Sequence, residues 1–244
     1  MSDSSSDDER TVELSSGHEV TLPLSTTATM AGSVFVATAD VAERLLPDGL
    51  TPVRVTPART AVLLLGVEYH RVDRNQLSPY NEFGIFLPAV PETEVATPLA
   101  AVRGGLGGYT WQLPVTTDPA RALGELWQYP KTVGTVTFEG EDSRRQSTVS
   151  VDGQRVLTLE TGRPRTVPVE LSTRSYTDGD GTVRSVPVHV DGDGGLGPGW
   201  RSSHLDLGEH PWADRLRVLG IGSRPLLSVS FDGEFVIDPP ERLD

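Results

Sequence analysis

The stretch STVSVDGQRVLTLE, residues 147–160, sets two runs of alternating β-branched or aliphatic residues on either side of Asp152-Gly153. Alternation puts one set of side chains on one face, and an Asp-Gly pair accepts the positive φ angles of a two-residue turn. The stretch therefore reads as two antiparallel strands. Runs of the same kind recur at 32–39 (GSVFVATA), 60–69 (TAVLLLGVEY), 83–90 (FGIFLPAV), 108–115 (GYTWQLPV), 135–140, 165–173, 182–190 and 225–238. Asp180-Gly181 and Asp232-Gly233 give two further hairpin signals.

Helical segments are few. DVAERLLPDG places Asp40 three residues before Glu43, a capping-box spacing, and Pro47 stops it. DPARALGELWQYP offers Asp118 as N-cap, Pro119 at the first helical position and Pro130 as terminator. EHPWADRLRVLG puts Trp212, Leu216 and Leu219 on one face, with Gly220 suited to a left-handed C-terminal position. Many strands with three short helices predict a mainly β protein, a barrel or a sandwich.

The 244 residues show no shift in composition that divides them, so one domain is expected over 18–244, after an acidic, loosely docked tail at 1–17. A net charge of −13 with no basic stripe excludes nucleic acid as a partner. No run of about 18 apolar residues is present, and MSDSSSDDER lacks the regions of a signal peptide, so no membrane segment and a cytoplasmic location are expected. An acidic chain with a single lysine also fits a cytoplasm of high ionic strength, where carboxylate repulsion is screened.

That lysine, Lys131, is the chemical suspect. Arginine carries the rest of the basic charge, yet only lysine can shed its proton in a dry site and attack a carbonyl. It lies at the junction between a helix and a strand, beside Trp127 and Tyr129. The bland alternative is a lysine whose stem lies along apolar surface with its head in water. Other motifs carry less. GDGGLG (192–197) runs into Pro198-Gly199 and reads as a loop, not a dinucleotide site. The two DGDG segments (178–181, 191–194) read as turns. The five histidines have no zinc spacing, so neither metal nor cofactor is expected.

ELWQYPK (125–131), SPYNEFGIFLPAV (78–90) and LLPDGLTPV (45–53), in this order and with the ending from EHPWADRLRVLG onward, resemble the acetoacetate decarboxylase family. The resemblance implies a closed, mainly antiparallel β-barrel with a few peripheral helices, in a homo-oligomer. It also implies a Schiff-base lysine, Lys131, facing an internal cavity, with Glu82 as the motif glutamate that positions substrate or moves protons. Tyr80, Trp111 and Arg103 are the expected substrate-binding residues, and the substrate is a small β-keto or 2-oxo acid. An unperturbed lysine, pKa about 10.4, is neutral in only about one molecule in a few thousand at pH 7, so its pKa is expected to be lowered.

The sequence departs from the family in three places. Thr132 stands where the decarboxylases carry a second lysine, their arginine falls near Ala28 in the uncharged stretch LPLSTTATM, and their further acid falls within the apolar run 61–65. Arg103, Glu68 and His70 are candidates to replace these groups. Decarboxylation, aldol or dehydration chemistry on the same imine, and a non-catalytic binding role all remain open at this point.

Overall fold

The computed structural model describes residues 9–97, 107–140 and 143–243. Strands β3 (Leu24–Thr38), β5 (Arg59–Val72), β6 (Asn81–Pro91), β7 (Gly107–Val115), β12 (Val167–Thr177), β13 (Arg184–Pro198) and β15 (Leu227–Ile237) form a closed seven-strand barrel in the order β6-β5-β3-β15-β13-β12-β7, with β7 returning to β6. This is the mainly β fold that the strand runs and the resemblance predict. One join, β7 to β12, is parallel; the others are antiparallel, and the short β4 (Leu50–Pro52) pairs antiparallel with the far end of β6. A smaller sheet lies against the barrel wall, in the order β14 (His204–Leu207), β11 (Gln154–Gly162), β10 (Arg144–Val151), β9 (Thr135–Glu139). The 147–160 stretch is its central hairpin, and Asp152 (φ 51°) and Gly153 (φ 75°) make the turn. No described helix is long and apolar enough to cross a membrane.

Two cores follow from strand alternation. Outward-facing Phe35, Val62, Leu64, Phe83 and Ile85 pack against Val149, Leu157 and Leu159 of the small sheet, all at most 1% exposed. The second core fills one end of the barrel interior with Leu24, Ala28, Val67, Val186, Phe235 and Ile237. Each outward side chain removed from water contributes about 1.5–3 kcal/mol, so the small sheet is held chiefly by apolar contact.

Several local expectations change. Part of the segment expected to be loosely docked is ordered: β1 (Arg10–Glu13) pairs with β2 (Glu19–Leu22), and Leu14 is 4% exposed in the barrel-end core. Val12, Leu14, Val20 and Leu22 supply enough apolar surface to dock a segment whose composition looks too polar to fold. Helix α1 (Ala39–Glu43) is capped at Thr38 without a side-chain bond, so Asp40 lies in its first turn. Helix α2 (Asp118–Glu125) is capped by Thr117, which accepts from the Ala120 amide, one residue before the expected Asp118. Helix α3 (Pro211–Val218) starts from His210, whose Nδ1 accepts from the Trp212 amide, and Gly220 takes φ 74° as expected.

Asp232-Gly233 is no turn but the middle of β15, and GDGGLG, with the second DGDG, is the middle of β13. These glycines pair across the ladder, Gly192 with Gly233, and the Phe231 ring covers both, 3.0 and 2.8 Å from where a Cβ would stand. Glycine here makes room within a strand rather than bending one.

Candidate active site

Lys131 owes its place to a strained helix exit. Gln128, after the end of α2, holds φ 57°, a left-handed conformation that costs a non-glycine residue about 1 kcal/mol or more. The segment is pinned on both sides. The Trp127 indole is 1% exposed and donates to the Asp238 carbonyl at 2.7 Å, while the Trp127 carbonyl accepts from Thr177 Oγ1 at 2.8 Å. Pro130 prevents continuation, and Lys131 opens β8 (Lys131–Val133), which runs parallel to β7 with Lys131 opposite Leu113. Gly124 of α2 lies against the lysine stem; a Cβ there would stand 2.6 Å from Lys131 Cδ. The residue's exposure is in its backbone, for its side chain is only 5% exposed.

Glu82, on β6, points into the barrel and pairs across the ladder with Val67 and Val115. Its Oε2 lies 2.8 Å from Lys131 Nζ, and the two side chains are 7% and 5% exposed. The contact is a buried ion pair, and no other described group donates to Oε2. The Tyr69 hydroxyl donates to Glu82 Oε1 at 3.1 Å. Lys131 Nζ reaches the Tyr80 hydroxyl at 3.5 Å and lies 5.4 Å from that ring's centroid. Tyr69 and Tyr80 stack with centroids 4.3 Å apart. The Tyr129 and Ser175 hydroxyls meet at 2.5 Å on the same inward face.

The electrostatics correct one expectation. Burial alone lowers the lysine pKa, as the sequence argument requires, but the Glu82 carboxylate and the Tyr80 hydroxyl outweigh it and the net shift is upward. The resting group is an ammonium in a buried ion pair. Burial pushes the Tyr80 and Tyr129 phenols up to about 12, and Tyr69 well above its ordinary value by burial and then by the Glu82 charge. All three are neutral hydrogen-bonding groups at physiological pH.

The structure thus brings Lys131, Glu82 and Tyr80 together and adds Tyr69. Trp111, at the bulge where β7 meets β6, packs instead against the core between barrel and small sheet. Arg103 lies outside the described residues. Glu68 and His70, the neighbours of Tyr69, point outward: Glu68 pairs with Arg145 on β10, and His70 Nε2 meets Thr29 Oγ1 at 2.9 Å. Neither replaces the acid missing from 61–65. Ala28 stands opposite Tyr69 in the barrel wall. A surface pocket of about 400 Å³ touches Tyr69 and Tyr80 along with Glu68 and His70, and one of about 460 Å³ lies at the start of α3. Neither is lined by Lys131 or Glu82, and the buried pair is the better guide to chemistry because an amine and a carboxylate meet there away from water.

No curated protein matches the sequence. Among solved structures, an acetoacetate decarboxylase is 18% identical with a TM-score of 0.64, covering 91% of this chain and 89% of its own. The acetoacetate decarboxylase of Legionella pneumophila is 14% identical with a TM-score of 0.65, over 91% and 87%. The enduracididine biosynthesis enzyme MppR, complexed with pyruvate, is 16% identical with a TM-score of 0.63, over 91% and 90%. These likenesses establish the barrel fold. The sequence pattern of acetoacetate decarboxylase (ADC) matches residues 13–196, a span that holds both Glu82 and Lys131 and most of the barrel strands. On that match, over well more than half of its length, the chain belongs to the acetoacetate decarboxylase family.

Proposed function

We propose that the chain is a Schiff-base catalyst that acts on a small keto acid through Lys131, a carbon–carbon lyase of the decarboxylase kind. The observation that carries this reading is the enclosure of the only lysine at 2.8 Å from a buried glutamate. The raised lysine pKa fits such a role once the pair is treated as a unit. Moving one proton from Nζ to Glu82 Oε2 discharges both groups together, so no isolated charge is left in the dry interior.

The neutral amine then attacks the substrate carbonyl carbon. Glu82, now protonated, returns its proton to the carbinolamine oxygen, which leaves as water and gives the iminium ion. In a β-keto acid the electrons of the C–C bond to the carboxylate flow into the iminium, CO₂ departs, and an enamine remains. One proton taken up from solvent goes to the enamine carbon, and hydrolysis, which takes back one water, releases the ketone and restores the ammonium–carboxylate pair. Tyr69 keeps Glu82 oriented through Oε1, and Tyr80 stands beside the nitrogen.

Aldol or dehydration chemistry on the same imine is the second reading. It is favoured because no arginine or second lysine among the described residues joins the group around Lys131, and these reactions need no clamp for a departing carboxylate. The MppR barrel carries pyruvate in one structure and the condensation product of pyruvate and imidazole 4-carboxaldehyde in another, so the scaffold is compatible with such ligands. The test is borohydride reduction with pyruvate and with acetoacetate, followed by mass spectrometry of the peptides, with CO₂ release measured in parallel. One adduct per chain on Lys131 is expected. No adduct with either compound would favour a non-catalytic member of the family and overturn the proposal.

A further inference from the structure

The ladder registers close around the barrel on one consistent inward set. The row through Glu82 continues to Val67, Met30, Phe231 and Gly194; the next, through Gly84, to Leu65, Gly32 and Val229; the third, through Phe86, to Leu63, Val34 and Leu227. Inside a barrel these side chains should be the best buried, and at the Glu82 end several are, Val67 at 4% and Phe235 at 5%. Farther along the order inverts. Inward-facing Leu63, Leu65, Phe86, Val229 and Phe231 are only half-buried, while their outward neighbours Val62, Leu64 and Ile85 are at most 1% exposed.

Solvent therefore reaches the inner wall, and the glycines explain why space is left. The Phe86 ring lies over Gly84, and the Phe231 ring over Gly192 and Gly233, so both rings lie flat on the wall instead of crossing the lumen. On β3, β5, β6, β13 and β15 these rows hold no charged side chain and no hydroxyl beyond Glu82; on β7 the third row meets the buried Thr110, the one hydroxyl opposite Phe86. From Glu82 to Phe86 is four residues along one strand, a run of about 13 Å.

We propose that this lumen receives a hydrocarbon arm of the substrate, so that the carbonyl compound attacked by Lys131 carries an unbranched alkyl or an aryl tail that lies along Leu65, Leu63 and Phe231. The proposal rests on the reading of Lys131 as an imine-forming lysine, but its wall is independent of that chemistry. Each methylene transferred from water to such a wall raises affinity about fourfold, the factor equivalent to about 0.8 kcal/mol.

Two measurements on the whole chain separate the claims. In the first, acetone, methyl propyl ketone and methyl heptyl ketone compete for borohydride trapping on Lys131; the apparent affinity is expected to rise at least tenfold from the shortest to the longest. In the second, the neutral fluorophore 1-aminoanthracene is titrated into the protein and displaced by the same ketones. It is expected to bind to the wild type and to the Lys131→Met variant alike, and to bind at least tenfold more weakly to a folded Leu63→Trp variant, in which the added ring fills the lumen. Leu65→Phe gives the same comparison if Leu63→Trp does not fold. Trapping without dependence on tail length, together with failure of the fluorophore to bind, overturns the tail proposal and leaves the Lys131 reading intact. Fluorophore binding that the filling variants weaken, without any adduct, overturns the imine reading and leaves the apolar lumen standing.

Discussion

Replacing Glu82 by glutamine removes one charge from the buried pair with almost no change of shape, and its effect can be worked from the geometry. At an effective dielectric of about 20, unit charges 2.8 Å apart attract by about 6 kcal/mol, equivalent to about four pKa units. That attraction is what overrides burial and holds the lysine pKa above its ordinary value. Without it burial governs, and the ammonium pKa falls below about 10.4. The signs of the pH dependence are then opposite. In the wild type the raised folded-state pKa gives stability that is fully present below about pH 10.4 and is lost as pH rises through the higher folded value. In Glu82→Gln the depressed pKa gives a deficit that is greatest at low pH and shrinks by about 1.4 kcal/mol per pH unit between the folded pKa and about 10.4. Urea unfolding of both proteins at pH 7, 8, 9 and 10 is the assay. A loss of about 3–5 kcal/mol is expected at pH 7, the range found when one partner of a buried pair is removed, falling by at least about 2 kcal/mol by pH 10. A loss that stays constant over this range would refute the reasoning, because the lysine would then feel neither the carboxylate nor the burial. The rate of borohydride trapping offers a second readout: its pH midpoint should drop by about two units or more in the variant, while its plateau falls by about a hundredfold through loss of the proton donor.

Lys131→Met keeps an apolar stem against Gly124 and should give no adduct by mass spectrometry with any carbonyl compound. In Gly124→Ala the new methyl group would stand 2.6 Å from Lys131 Cδ; better helix propensity and worse crowding should leave unfolding free energy within about 1 kcal/mol of wild type, while trapping slows at least tenfold. Arg145→Gln removes the pairing with Glu68 that ties the small sheet to the barrel, along with a guanidinium 4.4 Å from the Phe138 ring centroid, and should cost about 1–2 kcal/mol in urea unfolding. With a net charge of −13, the protein should melt at a higher temperature in about 1 M potassium chloride than in about 0.1 M, as measured by calorimetry.

The strand runs and the Asp152-Gly153 turn were legible because alternation and turn chemistry are local. The strand glycines at 192–197 and 233 were not, since a glycine that makes room for a ring two residues away has the same letter as one that bends a chain. Lys131 and Glu82 stand out as the lone amine and the motif acid, but the sign of the lysine shift depends on a distance between β6 and β8, the strands on either side of β7, that the sequence does not contain. Tyr69 carries no signal of its own beside Glu68 and His70, which look more reactive. Only the register, with Leu65 and Val67 facing inward, shows that β5 turns the tyrosine toward Glu82 and its charged neighbours away.

The walled-in position of Lys131 has a practical side. Because the chain has no other lysine, reagents that join proteins through side-chain amines, such as glutaraldehyde, active-ester dyes and biotin esters, find no ε-amine on the outside of this fold. Slow uptake of a bulky amine label at that residue would therefore report the opening of the barrel end, which makes the sole lysine a built-in gauge of local breathing.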